Sequence, residues 1–172
     1  VSDPNDAIPD DDEAALNRRL GQLRDSLSVE IAIVVIPAYD VEKYSSAREF
    51  ANELFNTWGI GDKETNRGLL IQLVTREDLR EITFETGYGL EGELPDGLCM
   101  LIQKRRMIPP MKEGRYGEGL RAGLEEVRKA LSNESTLEAE EEKKSNTLAA
   151  FVCSIWWALG LLGFGGMRPQ QR

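Results

Sequence analysis

The sequence predicts an α/β fold in which a small mixed sheet carries helices on both faces and is followed by one transmembrane helix. Three observations predict it. Two apolar, β-branched runs, residues 29–36 (VEIAIVVI) and 69–74 (LLIQLV), have the near-continuous hydrophobicity of strands buried on both faces. Between them, residues 45–58 place Ala47, Phe50, Ala51, Leu54, Phe55 and Trp58 in a helical stripe. Near the end, residues 145–167 run for 23 positions without a charge.

The elements follow in order. Residues 1–12 hold five aspartates, Pro4, Pro9 and no base, and read as an irregular lead-in. A first helix over 11–26 follows from Ala14, Leu16, Leu20, Leu23 and Leu27 at helical spacing, with acids at the positive end of its dipole. The strand over 29–36 ends at Pro37, and the second helix covers 45–58. After the turn-rich loop GIGDKETNRG comes the strand over 69–74, so strand, helix and strand form a βαβ unit with a parallel pair and a right-handed crossover. Residues 80–86 alternate Ile82 and Phe84 with Glu81, Thr83 and Glu85, which predicts a half-exposed strand in an antiparallel hairpin with the second. The loop GYGLEG (87–92) leads to a third helix over 94–107, ended by Ile108-Pro109-Pro110. Leu120, Leu124, Val127 and Leu131 line one face of a fourth helix over 116–131.

Residues 133–146 are polar and acidic, either a linker or an exposed helical stalk. The core of the uncharged run, residues 148–164 (LAAFVCSIWWALGLLGF), lacks the polar face of a soluble helix. As a helix the full run reaches about 34 Å, enough for a hydrocarbon core of about 30 Å. The domain reading is therefore a globular part over 1–132, an acidic segment over 133–146, a membrane helix over 147–167 and a short tail over 168–172. Lys143 and Lys144 on one flank and Arg168 and Arg172 on the other leave orientation undecided by charge. The sequence opens on Val1 without a signal-peptide pattern, and a trimmed N-terminus is expected. That favours a single-pass protein of the cell membrane with its globular domain outside the cytoplasm.

Composition narrows the chemistry. With 30 acids against 21 bases the net charge is −9, which argues against nucleic acid as a partner. There is no histidine, so Ser-His-Asp and Cys-His nucleophiles, histidine bases and histidine metal sites are excluded. Cys99 and Cys153 make neither a disulfide framework nor a zinc cluster and read as buried thiols. GYGLEG does not open a helix after a first strand, so it is not a dinucleotide fingerprint, and no nucleotide is expected. The basic stretch Lys104, Arg105, Arg106, Lys112 and Arg115 reads either as a solvated helix face or as a contact for anionic headgroups or an acidic partner.

Hairpin pairing of the second and third strands sets Thr75 near Arg80 and therefore Gly68 near Gly87. The loop holding Asp62, Glu64 and Asn66 then faces the loop holding Glu85, Tyr88 and Glu91, on one rim. Clustered oxygens without imidazole suit Ca²⁺ or Mg²⁺. Ordinary turn chemistry accounts for the same residues, with glycines for unusual backbone and Asp or Asn for local hydrogen bonds.

Four blocks carry a resemblance. The lead-in with Asp3, then WGIGDKETNRGLLI, ETGYGLEGELPD and IPPMKEGRYGEGL, in that order, resemble the TPM domain family over about residues 1–132. Residues 64–67 depart from the commoner D-N-G ending of the first loop block. The resemblance implies a three-layer α/β/α sandwich around a small mixed sheet. Bacterial members usually follow this domain with a membrane helix and a glycine-rich tail. One plant member is described as an acid phosphatase with a calcium site, and another member is an auxiliary subunit of an ion channel. Carried over by position, the resemblance implies an acidic cleft lined by Asp62, Glu85, Glu91 and Asp96, with Asp3 and Asn66 as further candidates. The expected role is a module that binds a membrane-protein partner or maintains a membrane complex, with a possible Ca²⁺ or Mg²⁺ site. The alternative is a Ca²⁺- or Mg²⁺-dependent acid phosphatase, although Asp40 stands alone after the first strand and no D-x-D phosphatase motif follows it. No catalytic residue is assigned.

Overall fold

The structure is a computed structural model that describes residues 1–137, 139 and 143. The chain divides into two compact units, Val1–Ser135 and Thr136–Arg172. The expected membrane helix over 147–167 and most of the acidic segment lie outside the described residues. Among the described residues no helix is long and apolar enough to cross a membrane.

The first unit runs α1 (Asp10–Leu27), β1 (Glu30–Ile36), α2 (Ala47–Trp58), β2 (Gly68–Val74), β3 (Glu81–Thr86), α3 (Asp96–Ile102), α4 (Ile108–Lys112) and α5 (Tyr116–Leu131). Short 3₁₀ turns cover Glu77–Leu79 and Tyr88–Leu90, and a π-helical turn covers Gln103–Met107. The sheet order is β1-β2-β3, with β1 and β2 parallel and β2 and β3 antiparallel. The register pairs Leu69 with Thr86 and Val74 with Glu81, so the hairpin frame read from the sequence holds. The lead-in covers the other sheet edge: Ser2 bridges Val34, with its N–H donating to Ile33 O and its carbonyl accepting from Val35 N–H.

Side-chain alternation gives each sheet face its own cover. Val34 and Leu70 pack with Ala51 and Ile60, flanked by Ala32, Ile36, Leu54 and Phe55, so α2 covers that face. Ile33, Val35, Leu69, Ile71, Leu73 and Phe84 point to the opposite face and are buried there. Leu73 and Ile82 line a groove on that side together with Ile108 and Met111 of α4, and α5 packs on α1 and α4. α2 is well capped: Ser46 Oγ accepts from Glu49 N–H at 3.1 Å, and Gly59 closes it in the left-handed region at φ 63°.

Two expectations change. Thr83 and Glu85 were expected on a solvent-facing side of β3, but Thr83 is 3% exposed and α2 lies over this face. The crossover helix of the βαβ unit extends far enough across the sheet to cover the third strand too. The prolines, also, do not end the third helix. The chain stays helical from α3 through the π turn into α4, where Pro109 and Pro110 occupy the first turn. Ile108 N–H donates to Gln103 O, five residues back, and this wider turn accommodates the following prolines where an α turn would bring their rings against the carbonyls four residues earlier.

Candidate functional site

The two glycine-rich loops meet at the end of the sheet where β2 starts and β3 stops. Gly87 N–H donates to Gly68 O at 2.8 Å and Gly89 N–H to Asn66 O at 3.1 Å. Asn66 adopts φ 51° and its own N–H closes a turn onto Asp62 O at 2.7 Å. A Cβ on Gly87 would fall on Asn66 O, and one on Gly89 on Thr65 O, both closer than the 3.0 Å that real Cβ atoms respect. These glycines are there because two backbones touch.

An ion pair fastens the contact. Arg67 reaches Glu93 with both ends of its guanidinium, Nη1 to Oε1 at 2.7 Å and Nη2 to Oε2 at 2.9 Å, and Nη1 also donates to Gly89 O at 3.4 Å. This bidentate geometry is the strong form of the Arg–carboxylate contact. The hydrogen bonds from Arg67 hold the Glu93 carboxyl below its ordinary range, against a smaller opposing push from burial.

The acids of the expected cleft separate into different roles. Asp62 is exposed, and its Oδ1 accepts from Glu64 N–H at 2.9 Å and Thr65 N–H at 3.0 Å. Those bonds, Thr65 first, lower its pKa, and they make Asp62 the organiser of its own turn. Glu85 points toward α2, where its Oε1 accepts from Asn52 Nδ2 at 2.8 Å and its Oε2 is buried without a partner. Glu91 is exposed at the end of the 3₁₀ turn, and Asp96 is exposed as the first residue of α3. Asp3 sits beyond the far edge of the sheet, where its Oδ2 accepts from Ile8 N–H at 2.7 Å. The lead-in at Ser2 therefore lies three strand spacings, roughly 14 Å, from β3. Asn66 supplies a backbone carbonyl to Gly89, as above. Among the described residues no three Cys, Asp or Glu side chains are grouped so as to hold a metal. Ca²⁺ takes six to eight oxygens, and the acids as placed do not fit such a shell.

Several contributors carried little signal in the sequence. Arg67 and Glu93 lie in different loops, and only the folded hairpin joins them. Asn52 is one polar residue on an amphipathic helix. Gln72 was legible, as the one polar residue inside LLIQLV. It is fully buried, its Nε2 donates to Ala47 O at 3.1 Å, and it stands opposite Thr83. Gln72 Oε1, Thr83 Oγ1 and Glu85 Oε2 are all buried without partners on the sheet face under α2. Cys99 is buried, and burial, with the Asp96 charge adding to it, pushes its thiol up to about 12. It is not a nucleophile in this state.

The rim also presents Tyr88, which is 80% exposed. Its neighbours Gly87 and Gly89 are the two residues hydrogen-bonded to the opposite loop, and Leu90 just beyond is completely buried. The aromatic ring thus projects from a fixed backbone.

The fold has known counterparts. A family model described as the TPM domain matches residues 1–130. The solution NMR structure of the N-terminal domain of a protein from P. gingivalis is similar at 39% identity and a TM-score of 0.68, over 80% of this chain and 83% of that one. The NMR structure of the BA42 protein from the psychrophilic bacterium Bizionia argentinensis shares the fold at 16% identity and a TM-score of 0.64, over 78% of this chain and 88% of that one. No curated protein matches. The family match covers residues 1–130 of the Val1–Ser135 unit, and the chain belongs to the TPM domain family.

Proposed function

We propose that the domain is a protein-recognition module, held outside the cytoplasm at the cell membrane by the apolar segment 147–167, and that it binds or maintains a membrane-protein complex through its loop rim. The observation that carries this reading is Tyr88, 80% exposed between two loops locked by backbone hydrogen bonds and the Arg67–Glu93 pair. A rigidly mounted, exposed tyrosine contributes contact area at low entropic cost, the property of residues that dominate protein interfaces. Met100 on α3 and Trp58 on α2 add exposed apolar surface, at 64% and 49%. In this reading the local engagement of Asp62, Glu85 and Glu93 gives the platform its shape.

The test is site-specific crosslinking in membranes from cells expressing the whole chain, with a photoreactive phenylalanine analogue at position 88. One stoichiometric membrane-protein adduct is expected, and Tyr88→Ala should abolish co-purification of that protein while leaving the melting curve unchanged. Absence of any adduct above the level of a probe placed at Gly21 would overturn the reading. Metal-dependent hydrolysis of an aryl phosphate, lost in Asp62→Asn and Glu91→Gln, would replace it with the acid phosphatase alternative.

A further inference from the structure

A groove of 370 Å³ opens at the opposite end of the sheet from the loop rim, lined by Leu73, Arg80, Glu81 and Ile82 of the hairpin and by Gln103, Ile108, Met111 and Lys112 of the helical run. The π turn builds its helical wall. In a regular α-helix five steps of about 100° would leave Ile108 roughly 140° round from Gln103. The bond from Ile108 N–H to Gln103 O closes a five-residue turn, which brings both onto one side. Met111 and Lys112 follow at three and four residues and extend that side. π turns occur disproportionately at functional sites, and this one shapes a surface.

The groove joins an apolar floor to unspent positive charge. Leu73 and Met111 are buried beneath it, with Ile82 and Ile108 half-buried at its sides. Arg80 donates Nε to Thr75 O at 3.4 Å, and neither Arg80 nor Lys112 has an ion-pair partner among the described residues. Glu81 is the only carboxylate in the lining, and Glu113 beyond Lys112 is taken by Arg115 at 2.8 Å. Two cations against one carboxylate make the groove locally positive on a chain whose net charge is −9. Polybasic recognition of membrane headgroups uses clusters of four to eight bases; two bases beside an apolar floor fit a side chain of a protein instead.

We propose that this groove docks an amphipathic protein segment, one large apolar side chain seated over Leu73 and Met111 with flanking carboxylates against Arg80 and Lys112. It involves no residue of the loop rim and stands independently of the role given to Tyr88.

The test uses the whole chain in detergent and fluorescence anisotropy of short labelled peptides, each with one central leucine, isoleucine, phenylalanine or tryptophan among glutamates. At least one should bind saturably. Its lysine-flanked counterpart should not, Arg80→Glu with Lys112→Glu should weaken binding by about tenfold or more, and Tyr88→Ala should bind like the parent chain. Both substitutions lie at groove-edge side chains, and an unchanged melting curve confirms that the variant is folded. Equal binding of glutamate and lysine peptides, unaltered affinity in the charge-reversed variant, or no saturable binding by any peptide would overturn the proposal. So would binding of phosphatidylserine vesicles, or self-association, lost in the same variant while the peptides fail, because the occupant would then be a lipid surface or a second copy.

Discussion

Gly87→Ala separates close backbone packing from every other reason for a glycine. Gly87 has φ −68° and ψ 152°, an ordinary extended backbone that alanine adopts freely. The added methyl would sit on Asn66 O, with Asn66 C at 3.1 Å and Gly68 N at 3.2 Å behind it. All three are backbone atoms of the facing loop, so no side chain can rotate away and the loops must part. Overpacking of this kind costs about 1–3 kcal/mol. Parting the loops weakens the Gly87–Gly68 and Gly89–Asn66 hydrogen bonds, each contributing about 1 kcal/mol. The lower entropy of the unfolded alanine chain offsets about 0.4–1 kcal/mol. The net loss is about 2–4 kcal/mol, a large share of the roughly 5–15 kcal/mol of a domain. Urea unfolding followed by far-UV circular dichroism reads it as a lower midpoint at constant slope. Gly92→Ala is the matched control, because nothing lies within 4 Å of its added methyl. A loss below about 0.5 kcal/mol in Gly87→Ala, the range of ordinary surface changes, would refute the close-packing account of the rim.

Four further outcomes are expected. Glu93→Gln should lower stability by about 1 kcal/mol near neutral pH. Because Arg67 holds the folded Glu93 carboxyl below the 4.5 of the free group, that contribution is full above pH 4.5 and disappears as pH falls through the folded value, so parent and variant curves should converge in acid. Ser46→Ala removes the oxygen that accepts from Glu49 N–H at the start of α2 and should cost about 1 kcal/mol in a thermal melt. Gly21→Ala, inside α1 with open space at its Cβ, should stabilise by about 0.5–1 kcal/mol. Cys99, with its thiol raised to about 12 by burial, should ignore a disulfide reagent at pH 8 in the native chain and react fully in urea, and rapid native labelling would contradict the burial.

The backbone frame was legible because it is set by local alternation and turn length. The apolar runs mark both faces of β1 and β2, and a short hairpin turn confines the register to a narrow range, so the meeting of the two glycine loops follows from the sequence. The α5 boundaries at 116 and 131 follow from its leucine spacing. Legibility stopped where side chains choose between neighbours. Asp62, Glu85 and Glu91 lie in or beside the two loops that the hairpin joins, yet Asp62 is drawn into its own turn and Glu85 inward to Asn52. The helix through Pro109 was missed because proline is read as a stop for an α turn, and the π turn that admits it has no sequence signature here.

The glycines therefore point away from themselves. Added methyls at Gly61 and Gly68 would meet the partner strand of the same loop, and those at Gly87 and Gly89 the opposite loop, so the motif is a backbone clamp first. A clamp fixes whatever projects from it, and here that is Tyr88. The π-walled groove lies at the other end of the hairpin: from the Leu69–Thr86 pair to the Val74–Glu81 pair is five strand steps, about 17 Å. At that separation with no shared partners, substitutions at the two surfaces should act additively. Tyr88→Ala combined with Arg80→Glu and Lys112→Glu should lose co-purification of the membrane protein and peptide binding each to the same degree as the separate variants. Loss of both activities from Tyr88→Ala alone would mean that the rim and the groove are one interface, and that the partner spans the length of the sheet.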